Sequence, residues 1–185
     1  MTAAQSKKKY DLSEVLIDEK TLARRIAELG AEITRDYEGK SVVLIGILKG
    51  SIPFIADLMR RIRLEDLEVD YISVSSYGRS TKSSGVVRIL KDLDSDIKGK
   101  DVIIVEDIID TGLTLSYLKE YFMGRGPGSL KICTLLDKPS RRKVDLAGDY
   151  VGFQVEDRFI VGYGLDVDQR YRNLPFISWI TEEQK

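Results

Sequence analysis

Residues 102–115 read VIIVEDIIDTGLTL. An apolar run, Val102 to Val105, leads to Glu106 and Asp107, then two isoleucines, then Asp110-Thr111-Gly112-Leu113-Thr114. The run lacks polar alternation, which predicts a strand buried on both faces, as in a parallel sheet. From about Leu113 to Met123 the pattern turns helical, so the stretch is expected to run strand, turn, helix, with the two acids just past the strand end. Adjacent carboxylates repel each other. Their placement makes sense where a cation or a set of hydroxyl donors comes to meet them.

The flanking sequence repeats the alternation. Glu19 to Tyr37 carries Leu22, Ile26, Leu29 and Ile33 at helical spacing. SVVLIGIL (41–48) is a second apolar strand, followed by KGS and a helix over Pro53 to Arg61 with proline in its first turn. VDYISVSSY (69–77) and GVVRIL (85–90) flank a Ser/Gly/Lys-rich stretch. After the helix from Leu113 come the break GRGPG and the strand LKICTLL (130–136), with later short strands expected near YVGFQV (150–155) and FIVGYG (159–164). This is α/β order with a mostly parallel central sheet. No repeat or compositional shift marks a second domain, so residues 1–185 are read as one domain with a frayed tail over 1–10.

Composition narrows the chemistry. The 29 basic and 30 acidic residues leave a formal charge of -1, which argues against a nucleic-acid partner. There is no histidine, so acid–base work falls to carboxylates or lysine. The single cysteine, Cys133, lies in an apolar run and reads as a small buried hydrophobe in a reducing compartment. No apolar stretch approaches the roughly 20 residues of a membrane span. The expected setting is cytoplasmic.

Ligands of open α/β sheets bind beyond the carboxyl ends of the strands. A turn Asp110-Thr-Gly-Leu-Thr opening a helix offers unpaired amide N–H groups and a positive dipole end, suited to a phosphate. Taken alone, Asp110 or Thr111 would serve equally as an ordinary N-cap. Glu106 and Asp107 are not explained that way. Two acids near a phosphate fit the vicinal hydroxyls of a ribose 5-phosphate, or a hard cation such as magnesium. They also stabilise positive charge at an anomeric carbon during substitution.

With these residues in hand, the sequence resembles the type I phosphoribosyltransferases, and among them the 6-oxopurine branch. The likeness runs through VIIVEDIIDTGLTL, GILKGS (46–51), the pair Ser76-Tyr77, LLDKPSRR (135–142) and FIVGYGLDVDQRYRNLP (159–175). The fold it implies is a mostly parallel sheet flanked by helices, with a small hood formed by N- and C-terminal segments, the latter about 155–185. The activity it implies is magnesium-dependent (Mg2+) transfer of the phosphoribosyl group of 5-phosphoribosyl 1-diphosphate to hypoxanthine and guanine, in a homodimer or homotetramer.

Site roles follow from the same resemblance. Glu106, Asp107, Asp110, Thr111, Gly112, Leu113 and Thr114 hold the ribose phosphate of the donor. Lys49 and Gly50 bind pyrophosphate, with a cis peptide often found at Leu48-Lys49, and Arg172 meets it from the other side. Lys138 donates to the purine 6-oxygen, Phe159 stacks on the ring, the Ile160 backbone pairs with the base edge, and Asp166 lies near base, metal and pyrophosphate. Glu106, Asp107 and Asp166 are the metal candidates. Val167 stands where many relatives carry an aromatic residue. Asp110, facing purine N7, is the expected acid–base group, and residues 76–85 are expected as a mobile lid in which Ser76 and Tyr77 close over the reaction centre. Two rival readings are a nucleic-acid-binding regulator built on the same fold, and a pyrimidine or xanthine transferase.

Overall fold

The strand that carries the opening motif lies inside a six-stranded sheet in a computed structural model, which describes residues 10–12, 14–76 and 87–182. In chain order its elements are β1 (Tyr10–Asp11), β2 (Val15–Ile17), α1 (Glu19–Asp36), β3 (Val42–Leu48), α2 (Ile52–Met59), β4 (Leu67–Ser76), β5 (Val87–Lys91), β6 (Asp101–Ile109), α3 (Leu113–Met123), β7 (Ser129–Asp137), β8 (Tyr150–Gln154), β9 (Ile160–Val161), β10 (Ile177–Trp179) and β11 (Thr181–Glu182). The large sheet has the order β5-β4-β3-β6-β7-β8, parallel throughout except for the antiparallel edge strand β5.

The apolar strands are covered on both sides. Val42 and Leu44 of β3, with Ile103 and Val105 of β6, face one cluster together with Leu22, Ile26, Leu29 and Ile33 of α1 and Phe54 and Leu58 of α2. Val43, Ile45 and Ile47, with Val102 and Ile104, face the other, against Leu115, Leu118 and Phe122 of α3. Neither face meets water, so neither needs the polar residues of a one-sided strand. Helix α1 begins where Asp18 accepts from Thr21 N–H at 2.7 Å, an N-cap that sets its apolar stripe in register with the sheet. Cys133 is buried and burial pushes its thiol pKa up, which agrees with an inert core residue. Among the described residues no helix is long and apolar enough to cross a membrane.

The chain ends build the smaller structure. β2, β10 and β9 form a three-stranded antiparallel sheet, and β1 pairs with β11. This joins residues near the start of the chain to those near its end, the hood expected from the resemblance. FIVGYG is not a strand throughout. β9 covers only Ile160–Val161, because Gly162 and Gly164 take φ of 100° and 99°, outside strand geometry. The expected lid falls mostly outside the described residues: the backbone of Ser76 closes β4, while Tyr77 and residues 78–85 are not described.

Candidate active site

Glu106 and Asp107 belong to β6 itself, which corrects the expectation that the strand stops at Val105. Pairing with β7 continues through Glu106↔Thr134, Ile108↔Leu136 and Ile109↔Asp137, whereas pairing with β3 ends at Gly46↔Val105. The acids therefore sit on a strand with one edge secured and the other open. From β3 the chain crosses to β4, and from β6 it crosses to β7 on the opposite side. The gap between β3 and β6 is thus a switch point, the usual crevice for a ligand in such sheets.

Two loops fill the mouth of that crevice. In the first, the Leu48-Lys49 peptide is cis, Lys49 is exposed and Gly50 is buried. A Cβ on Gly50 would lie 1.7 Å from Asp107 Oδ2, so only glycine lets this backbone reach the strand. In the second, Gly164 packs on the first loop so closely that its Cβ would lie 2.0 Å from the Gly50 carbonyl oxygen. Arg172 steadies this second loop. Its guanidinium donates to the Gly164 carbonyl at 2.6 Å and pairs with Asp166 at 2.6 Å. The positive φ values of Tyr163, Asp168, Gln169 and Tyr171 show how tightly the segment is folded. Lys49, Gly50, Asp107, Asp166 and Arg172, scattered in sequence, meet here.

The turn after β6 is open at its helix. Gly112, at φ 81°, is the N-cap of α3, and no side chain caps the helix. The N-cap reading of Asp110 or Thr111 is therefore set aside; the Thr111 hydroxyl approaches Leu113 N–H only at 3.5 Å. Apart from that contact no side chain caps the first amides of α3, an arrangement suited to an anion.

Burial makes the two strand acids reluctant to ionise. Glu106 Oε2 is buried without a hydrogen-bond partner among the described residues, and its pKa stands well above the usual value through burial and the neighbouring Asp107. Asp107 is pushed up to about 6, chiefly by burial, against the pull of the Ile108 N–H, which it accepts at 2.9 Å, and of Arg172. An unpaired buried carboxyl is costly unless a ligand completes it. Among the described residues no group of three or more His, Cys, Asp or Glu has metal-site spacing.

At the other end, Lys138 is 8% exposed and donates to the Arg158 carbonyl at 2.7 Å. Burial lowers its pKa, although Asp110 and Asp157 act the other way. Phe159, beside Arg158, presents an exposed ring that borders a cavity of about 290 Å³ with Tyr10, Val167 and Ile180. Ile160, next in the chain, is buried on β9. Three residues escaped the sequence reading. Arg141 pairs with Asp110 at 2.5 Å and reaches Asp157 at 3.2 Å, while Arg142 donates to the Asp110 carbonyl at 2.6 Å and pairs with Asp137. The arginine doublet directly after Lys138-Pro139-Ser140 was the available signal.

Comparison with known proteins agrees with this geometry. The family described as the phosphoribosyl transferase domain matches residues 14–168. The chain is 56% identical over 170 residues to a hypoxanthine-guanine phosphoribosyltransferase of Bacillus subtilis, covering 92% of this chain and 94% of that one. A crystal structure of a hypoxanthine-guanine phosphoribosyltransferase from Bacillus anthracis superposes with a TM-score of 0.88 at 52% identity, over 94% of this chain and 99% of the other. A hypoxanthine phosphoribosyltransferase from Staphylococcus aureus gives 0.90 at 50% identity, over 92% of each chain.

Proposed function

The chain belongs to the phosphoribosyltransferase family, and on that premise we propose that it is a purine-salvage enzyme joining hypoxanthine or guanine to phosphoribosyl diphosphate. The products are the nucleoside monophosphate and pyrophosphate. The observation that carries the base assignment is Lys138. It is buried, has a lowered pKa, and spends one donor on the Arg158 carbonyl. The ammonium keeps further donors and has no acceptor, so it suits a 6-oxo group and opposes a 6-amino group.

In this reading the α3 amides and the hydroxyls of Thr111 and Thr114 hold the 5-phosphate, with Gly112 and Leu113 shaping the turn. Glu106 and Asp107 accept from the ribose hydroxyls. As the bond from the anomeric carbon to the diphosphate oxygen breaks, they lie beside the carbon that becomes positive. Lys49, the Gly50 amide and Arg172 take the departing pyrophosphate with its electron pair. Purine N9 forms the new bond while Asp110 accepts the proton from N7. Phe159 covers one face of the base and the Ile160 backbone meets its edge.

Magnesium fits the site. The unpartnered Glu106 Oε2 and the carboxyls of Asp107 and Asp166 do not by themselves have metal-site spacing, and are the oxygens that would hold the ion together with oxygens of the substrate. Magnesium needs just one or two carboxylates when substrate oxygens complete its shell. When bound, the ion would offset charge on the diphosphate.

The finer setting belongs to the same proposal. The single buried thiol fits a reducing, cytoplasmic environment. Ile52 and Met59, exposed on α2, offer an apolar face for a homodimer or homotetramer. Neither nucleic acid nor membrane is proposed as a partner. Residues 76–85, with Ser76 and Tyr77, are proposed as a lid, and residues 1–185 as one domain with its tail at 1–10. The test is to follow hypoxanthine, phosphoribosyl diphosphate and magnesium chromatographically. Inosine monophosphate and pyrophosphate should appear in equal amounts; hydrolysis of the donor without nucleotide would refute the transfer.

A further inference from the structure

Three consecutive carbonyls, at the end of β6 and in the turn after it, are each bonded to the segment after β7. Ile109 accepts from Lys138 N–H at 2.9 Å, Asp110 from the Arg142 guanidinium at 2.6 Å, and Thr111 from Lys143 N–H at 3.0 Å. These bonds bracket Asp110 and place Arg141, at the end of the 3-10 turn Pro139–Arg141, over its side chain. Arg141 Nε lies 2.5 Å from Asp110 Oδ1, and its terminal nitrogen reaches the two oxygens of Asp157 at 3.2 and 3.3 Å. The Asp110 side chain is 44% exposed, yet Oδ1 is buried and accepts no well-aligned hydrogen bond among the described residues, so Arg141 holds it as a close ion pair. The exposed part of the carboxyl group is therefore its other oxygen.

We propose that Arg141 is a positioning residue: its guanidinium holds Oδ1 of Asp110 and so presents Oδ2 to the purine. The inference rests on Asp110 being the proton acceptor. A carboxyl group rotates easily about its last torsion, and a donor anchored by neighbouring backbone bonds selects one orientation. Arginine suits the task because its planar fork lets one nitrogen grip Asp110 while another grips Asp157. The same contact ties the acid–base residue to the loop of Arg158 and Phe159. With Arg141 43% exposed, the pair contributes little to stability, so its effect is on geometry.

The test is a double-mutant cycle on the full chain, with thermal melting of each protein. Arg141→Gln should lower kcat about tenfold, leave KM for phosphoribosyl diphosphate within about twofold, and barely shift Tm. In an Asp110→Asn background the same substitution should have almost no further effect, since the group it orients is gone. The proposal is overturned if Arg141→Gln has wild-type kcat, if it costs as much in the Asp110→Asn background, or if rate falls only in step with Tm. An Asp110→Asn enzyme of normal turnover would overturn the assignment of Asp110 itself, and the inference with it. That result is distinct from a slow Asp110→Asn beside an unaffected Arg141→Gln.

Discussion

Gly50 and Asp107 touch without room for a side chain: a Cβ at position 50 would stand 1.7 Å from Asp107 Oδ2. The Asp107 carboxylate is short and held by the Ile108 N–H at 2.9 Å, so it gives way only by breaking that bond or shifting the loop. Gly50→Ala should lower kcat/KM for phosphoribosyl diphosphate by about tenfold or more, as expected when positioning groups move by an ångström. KM for the base should change much less. Steady-state kinetics with each substrate varied in turn decides this, and equal effects on both would place the fault in the fold.

Asp107 also links donor binding to stability. Its pKa is raised to about 6, so between roughly pH 4 and 6 the folded protein holds a proton that the unfolded chain has released. Stability must fall as pH rises through that window. Asp107→Asn removes the effect. Without metal it should be more stable than wild type at pH 8 by about 1 to 2 kcal/mol, discounted for partial exposure, and lose that advantage below about pH 4. Urea titrations in the presence of a chelator measure both. The variant should also bind phosphoribosyl diphosphate more weakly; a gain in stability with unchanged affinity would break the link.

Lys138→Gln tests the base pocket. Glutamine both donates and accepts, so it no longer discriminates a 6-oxo from a 6-amino group by hydrogen bonding. Leaving a buried polar group unpaired costs roughly 1 to 3 kcal/mol. The variant should therefore lose activity on hypoxanthine while the gap to adenine narrows by about tenfold or more. An unchanged ratio of kcat/KM for the two bases would move the selectivity to the backbone around Ile160.

Much of this architecture is legible in the sequence because burial leaves a periodic trace. The stripe Leu22, Ile26, Leu29, Ile33 and the uninterrupted runs of β3 and β6 report, respectively, one covered helix face and two covered strand faces. What escaped depends on tertiary pairing. β6 extends to Ile109 because β7 continues beside it, and nothing in EDII signals that neighbour. FIVGYG looks like a strand by composition, yet its glycines are used for positive φ. At the site, Glu106, Asp107 and Asp110 were readable as a cluster along the chain. Arg141 and Asp157 were not, since their link to Asp110 spans about thirty and fifty residues of sequence and surface arginines seldom signify by themselves.

The central claim is that this chain transfers phosphoribosyl groups to 6-oxopurines. The most direct measurement is a competition: the enzyme, magnesium and phosphoribosyl diphosphate with equal amounts of hypoxanthine, guanine, adenine and uracil, and products resolved by mass. The buried Lys138, donating to the Arg158 carbonyl at 2.7 Å, predicts inosine and guanosine monophosphates, with adenosine monophosphate lower by about 10⁴-fold, as in sites built around a hydrogen bond to the substrate. Adenine or uracil nucleotides formed at comparable rates would contradict the account.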